Sequence, residues 1–241
     1  MGLDRQSFLQ LALVPAALVG YTASCACSPV AAVRKLVRPL FAWRLPWDRY
    51  AFALLTFPAL AVLVVITSHL LSAHAGSDGS ASGAVVVRQW LRIAIADALV
   101  AAPFIVGWCG FAARRLLARF SPLAVGLLLG ALLVAADWLP DLLRPPVAVA
   151  TTSILGALAT SIVAVWLYQR SRGSLLPVLL LRATNTTLIV GALAGTGFGQ
   201  GFGRYEVFTA AECAVAIGLV LGWQMWRGPE RLIPDAAEAC A

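Results

Sequence analysis

Two long stretches without a formal charge constrain this chain more than any other feature. Ala51–Leu71 and Pro145–Tyr168 contain no Asp, Glu, Lys or Arg. Each reaches the roughly 20 residues that a helix needs to cross the hydrocarbon core of a bilayer. The whole sequence is 61% hydrophobic and only 12% charged, about half the charged fraction of a soluble domain. The bilayer is therefore predicted to be the solvent of this chain.

Five further apolar stretches bring the predicted number of spans to about seven, within a range of six to eight. They are Phe8–Ala23, Leu91–Gly107, Leu123–Leu139, Leu175–Ala194 and Val207–Trp226. The sequence therefore predicts an all-α fold, a polytopic transmembrane helical bundle. We expect residues 1–28 to hold the first apolar span, in which residues 1–24 could instead be a cleaved signal-like segment, and 29–241 to form one helical membrane domain.

The basic residues alternate along the chain in a way that predicts its orientation. Twelve of them fall in segments that would face the cytoplasm, and five fall on the other side. The twelve are Arg34, Lys35, Arg38, Arg44, Arg49, Arg114, Arg115, Arg119, Arg170, Arg172, Arg227 and Arg231. Because basic loops stay cytoplasmic, we expect the N-terminus outside and the C-terminus inside a plasma membrane of bacterial type. The net charge of +7 then reflects topology and contact with lipid headgroups, and we expect no nucleic-acid partner.

Two glycine pairs have the spacing that lets membrane helices approach closely. Gly126 and Gly130 lie in one predicted span, and Gly191 and Gly195 lie in and just after another. Small residues four apart remove the side-chain bulk between two helix backbones. These pairs predict helix packing and carry no information about function.

A set of short motifs follows in fixed order through the middle of the chain. They are Gly107–Phe111, Arg114–Arg115, Ala118–Leu123, Asp137–Pro140, Trp166–Arg170, Gly173–Pro177 and Arg182–Thr187. With the basic entry at Arg38–Trp47, this order resembles the CAAX-protease and bacteriocin-processing (Abi) family of intramembrane proteases. The resemblance covers residues 38–187, with a motif-like core at 91–195.

The resemblance implies catalytic positions that this chain fills with unsuitable residues. The paired glutamates of the family fall on Phe104 and Ile105, and the arginine that follows them falls on Cys109. The two family histidines fall on Trp138 and Arg182. Peptide hydrolysis in a membrane needs a carboxylate base or a metal held by carboxylate and imidazole groups. None of these five side chains supplies either at neutral pH, so we expect no catalytic residue, no metal and no other cofactor.

The ionisable and amide residues in or near the spans are the candidates for a cavity or an ion pair. They are Asp97, Asp137, Arg182, Asn185 and Glu212. Charges inside a bilayer are costly and usually face a bundle interior or a wet cavity. Arg182 could pair with Asp97 or Glu212, extend to the surface, or hold a ligand. The predicted spans place Phe104 and Trp138 near opposite faces of the membrane, where these two residues would not converge as a site. Convergence would require a broken or re-entrant helix, or span bounds other than those predicted.

Three functional interpretations remain open from the sequence. In the first, a catalytically inactive relative of the proteases binds a lipid, a protein, or a transmembrane or prenylated peptide. In the second, an active intramembrane peptidase uses substituted residues such as Asp97 and Glu212 as an aspartic-type pair. In the third, the chain is a small transporter, although paired broken helices in two similar halves are not evident. The sequence does not predict the oligomeric state.

Overall fold

In a computed structural model, every regular element among the described residues is a helix. The structure describes residues 38–41, 43–71, 105–138, 147–187 and 202–227, together with the helical positions 92, 95, 98–99 and 101–102. The predicted first span at 1–28, and the residues Asp97 and Phe104, lie outside the described residues. The predicted all-helical class is confirmed for the described part of the chain.

Six α-helices follow a short 3₁₀ helix, with one π-helical segment among them. In chain order the elements are the 3₁₀ helix Arg38–Phe41, α1 (Trp47–Leu71), the π-helical segment Val106–Ala113, α2 (Arg114–Leu117), α3 (Pro122–Trp138), α4 (Val147–Arg170), α5 (Leu176–Thr187) and α6 (Phe202–Trp223). Helix α1 carries Pro58 in its interior, and the described chain contains no cis peptide bond.

Three of these helices are long and apolar enough to cross a membrane, over Trp47–Val64, Thr151–Arg170 and Glu206–Trp223. A shorter apolar stretch lies at Pro122–Ala135 in α3. Large apolar side chains stand exposed on these helices, including Leu55 and Val62 on α1 and Ile217 and Leu221 on α6. An exposed apolar helix face is what a lipid environment requires, so both length and surface fit a membrane protein.

Helix α4 is central, packing against α1, α3, α5, α6 and the π-helical segment. Helix α4 approaches α3 closely because Gly126 and Gly130 of α3 face α4. A Cβ atom on Gly126 would meet the Cα of Ile162 at 3.0 Å, and one on Gly130 would meet the Cα of Leu158 at 3.0 Å. The Gly126–Gly130 spacing therefore has the packing role that the sequence predicts for it.

The basic ends of several segments meet at one end of the bundle. Arg49 at the start of α1, Arg170 and Arg172 at the end of α4, and Arg227 after α6 line one cleft there. Two backbone hydrogen bonds connect segments at this end, from Leu123 N to Met225 O at 3.1 Å and from Leu175 N to Pro39 O at 3.1 Å. We call it the arginine-rich end. These segments are among those that the charge pattern assigns to one side of the membrane.

The helical path continues beyond Gly107, the predicted end of the span Leu91–Gly107. The helical path continues from Ile105 through the π-helical segment and α2 to Leu117, and the first charged residues on it are Arg114 and Arg115. Gly107 and Gly110 do not break the path, because apolar residues continue around them up to Ala113. Ile105 consequently lies in the interior of the helical path, about 18 Å along the axis from Leu117 if each residue rises 1.5 Å.

Candidate functional site: an arginine-lined cavity

A small cavity lies between four packed segments of the bundle. Its volume is about 30 Å³, enough to hold a water molecule. The π-helical region, α3, α4 and α5 contribute the wall: Ile105, Trp108, Cys109, Leu129, Leu133, Thr160, Ser161, Ala164, Val165, Val178, Leu181 and Arg182. Most of the wall is apolar, and Arg182 is its one charged residue among the described lining.

Three of the five positions that the resemblance assigns to catalysis line this cavity. Ile105 takes a glutamate position, Cys109 the arginine position and Arg182 a histidine position, and all three belong to the wall. The expectation that Phe104 and Trp138 would not converge concerns side chains outside the described residues, so it stays a prediction.

The π-helical segment positions two of the wall residues. It runs for eight residues, Val106–Ala113, and contains both Trp108 and Cys109. Such i→i+5 turns widen the helix locally and occur frequently at functional sites. Cys109 is buried, with 2% of its surface exposed, so the thiol faces the bundle and not the lipid.

A buried hydrogen bond supports the wall next to Arg182. The Asn185 side chain on α5 donates from Nδ2 to Oγ1 of Thr160 on α4 across 3.1 Å, and both residues are buried. Asn185 Oδ1 has no hydrogen-bond partner among the described residues. Thr160 also lines the cavity, so the bond holds a wall residue in place. The sequence predicted Asn185 as a cavity residue; it lies beside the cavity.

Glu212 packs against α4 at Gly156 and does not belong to the described wall of the cavity. Only 4% of its surface is exposed, and its Oε2 atom lies 3.2 Å from the point where a Cβ of Gly156 would stand. Its carboxyl group interacts electrostatically with Arg182. Oε1 of Glu212 and Oγ1 of the adjacent Thr209 have no hydrogen-bond partner in the described chain. The ion pair of Arg182 with Glu212 stays a prediction.

The structure does not describe the side chains of the last two candidate positions, at the end of α3. Asp137 and Trp138 form the end of α3, and their side chains lie outside the described part. Trp138 follows Leu133, a wall residue, by about 7.5 Å along the helix axis. No group of three or more His, Cys, Asp or Glu residues that could hold a metal ion occurs within the described ranges.

Sequence reasoning missed Thr160, Ser161 and Trp108. A signal for the first of these was present, since Ser153, Gly156 and Thr160 recur at helical spacing within an otherwise apolar span. Residues at i, i+3 and i+7 share one face of a helix. The small and polar side chains at these positions therefore predict that this face of α4 points into the bundle.

Comparison with protein-family models and with curated proteins gives no significant match. The family resemblance rests on the order of motifs alone, and the assignment of a function rests on the chemistry of the site.

Proposed function

We propose that this protein is an integral membrane protein of the CAAX-protease-like type that binds a membrane ligand and does not cleave peptide bonds. One observation carries the proposal: Ile105, Cys109 and Arg182, which occupy catalytic positions of that family, line one cavity. Such a cavity would keep the location of an active site while its side chains supply no carboxylate and no imidazole to act as base or metal ligand.

The chemistry of Arg182 suggests an anionic group as the part of the ligand that reaches the cavity. A guanidinium group donates paired hydrogen bonds to a carboxylate or phosphate and cannot lose its proton. The cavity volume of about 30 Å³ suits a small polar group. The rest of a peptide or lipid ligand would lie along the apolar, lipid-facing surface of the helices.

Seven spans with the N-terminus outside and the C-terminus in the cytoplasm of a bacterial-type cell are part of this proposal. The meeting of Arg49, Arg170, Arg172 and Arg227 at one end supports it, because the charge rule needs these residues on a single side. Reporter fusions after Leu71 and after Arg227 test it, and a cytoplasmic signal from the first fusion contradicts the orientation.

The decisive test compares binding and cleavage by the purified, detergent-solubilised protein. A panel of transmembrane and prenylated peptides, with free or amidated C-terminal carboxyl groups, is incubated with wild type, Arg182→Gln and Arg119→Gln. We expect intact peptides in all samples and binding that falls about tenfold or more in Arg182→Gln, the loss expected for one charge-assisted hydrogen bond. Arg119→Gln removes an equal charge from an exposed loop residue and should bind like wild type.

Two further samples separate this proposal from its alternatives. Cleavage that disappears in Asp97→Asn or Glu212→Gln would show a substituted peptidase and overturn the proposal. If Arg182 only compensates the buried Glu212, the double variant Arg182→Gln/Glu212→Gln recovers the stability of wild type and the wild-type protein binds no peptide. That result would assign Arg182 a structural role.

A further inference from the structure

A second, larger concavity at the arginine-rich end is independent of the site described above. It has a volume of about 420 Å³, within the range of small-molecule sites. Arg49, Arg170, Arg172 and Arg227 come to it from three separate parts of the chain, and its described lining contains no acidic side chain. We call it the basic cleft.

Aromatic rings form part of the wall of the basic cleft, a composition that is typical of the membrane interface. The rings of Trp166 and Trp223 have their centroids 5.9 Å apart, and the guanidinium carbon of Arg170 stands 4.2 Å over the Trp223 ring. Trp223 is 49% exposed, as is Trp226 at the same end. Tryptophan beside arginine is the composition of the headgroup region, where an apolar ring and a charge are both accommodated.

The position of Arg49 is not explained by stabilisation of its own helix. It lies in the first turn of α1, where the positive end of the helix dipole disfavours a cation. Asp48, exposed in the same turn, complements that dipole and does not line the cleft. Arg49 Nε is buried without a hydrogen-bond partner among the described residues. By contrast, Arg170 lies in the last turn of α4, where a cation is favourable.

The backbone adopts costly conformations at this cleft. Arg172 has a φ of 52° and Gln224 a φ of 49°, and these are the two non-glycine residues with positive φ in the described chain. Both line the cleft. Glycine takes this conformation without steric cost, as Gly173 does with a φ of 82°. An arginine at such a position is better explained by what its side chain does than by the turn itself.

We propose that the basic cleft binds a phosphate group at the membrane surface, with the headgroup of an anionic phospholipid as its source. Arginine pairs with phosphate through two parallel hydrogen bonds, and four guanidinium-bearing residues line the cleft. The indole rings of Trp166 and Trp223 pack against the glycerol region of the lipid. Inorganic phosphate is the other source of the same chemistry.

The test is a titration of the purified protein in neutral detergent. Phosphatidylglycerol, phosphatidylcholine and inorganic phosphate are added separately, with tryptophan fluorescence and the unfolding temperature as readouts. The cleft variant is Arg49→Gln/Arg172→Gln, and the matched control is Arg44→Gln/Arg119→Gln, which removes two exposed arginines outside the cleft. We expect phosphatidylglycerol to bind wild type and control alike and the cleft variant about tenfold more weakly.

The possible results distinguish a lipid headgroup from inorganic phosphate, and both from binding that follows total charge. Saturation by inorganic phosphate at the same site, with no preference for phosphatidylglycerol over phosphatidylcholine, would keep the phosphate chemistry and replace the lipid by a soluble anion. Equal affinity of the cleft variant and the control overturns the proposal, because binding would then follow total charge. The variant Arg172→Gly controls for misfolding, because glycine relaxes the backbone at this position. This variant should be at least as stable as wild type and still bind phosphatidylglycerol more weakly.

Discussion

The close packing of α3 on α4 predicts that two pairs of glycines respond oppositely to replacement by alanine, one pair at this contact and one pair away from it. Replacing Gly126 and Gly130 together by alanine places two methyl groups against the backbone of α4. The new Cβ atoms would stand 3.0 Å from Ile162 Cα and 3.0 Å from Leu158 Cα, with Leu158 Cδ2 at 2.9 Å as a further contact. Carbon atoms at optimal contact are about 3.5–4.0 Å apart, so the two helices must separate by about 0.5–1 Å.

The magnitude follows from two opposing effects. Overpacking of this kind costs about 1–3 kcal/mol per site when neither partner can rotate away, and a Cα atom of a helix cannot. Alanine in place of glycine gains about 1 kcal/mol of helix propensity. The steric term therefore exceeds the propensity term, and we expect the double variant to lose about 2 kcal/mol in its free energy of unfolding.

The control applies the same chemical change where the structure leaves room. Gly218 and Gly222 on α6 have no heavy atom within 4 Å of an added Cβ. Gly218→Ala/Gly222→Ala should keep only the gain in propensity, about 2 kcal/mol for the pair.

Both double variants are measured by equilibrium unfolding in mixed micelles with increasing sodium dodecyl sulfate, followed by far-ultraviolet circular dichroism. We expect the free energies of unfolding of the two to differ by about 4 kcal/mol. Equal stability of the two pairs would refute the close packing of α3 on α4, since only that packing distinguishes them.

Three further predictions concern buried contacts, all measured in the same unfolding assay. Thr160→Val leaves Asn185 Nδ2 without its 3.1 Å partner and should cost about 1–2 kcal/mol; adding Asn185→Leu should recover most of that loss, and an additive further loss would contradict the hydrogen bond. Gly156→Ala meets Glu212 Oε2 at 3.2 Å, but the end of a flexible side chain can move, so the net change should stay within about 1 kcal/mol of wild type. Phe208→Ala removes a ring that is 1% exposed and should cost about 3 kcal/mol; an unchanged stability would place Phe208 toward lipid.

The helical class and most helix positions could be predicted from sequence because they depend on local properties. Apolar length and the absence of charge identified α1, α4 and α6, whose observed bounds lie within five residues of the predicted spans. The predicted span Leu91–Gly107 stops before the end of the helical path. The helical path continues there, since the neighbouring residues remain apolar up to Ala113.

The candidate site was predictable only in part. Arg182 and Asn185 stood out because charged and amide groups are costly inside a bilayer. Their partners did not, because Thr160 is an ordinary residue in a membrane helix until a neighbour donates a hydrogen bond to it. The basic cleft was also hidden, because its four arginines are spread over 179 positions of the sequence, from Arg49 to Arg227.

The sequence by itself determined that this chain is an all-helical protein with helices suited to a membrane, and it identified the costly polar residues within them. Both properties follow from the residues of one segment and the solvent that surrounds it. Only the tertiary structure decided that Ile105, Cys109 and Arg182 share one cavity and that four arginines share one cleft. The physical reason is that helix packing sets which faces meet, and packing depends on contacts such as that of Gly130 with Leu158 between residues distant in sequence.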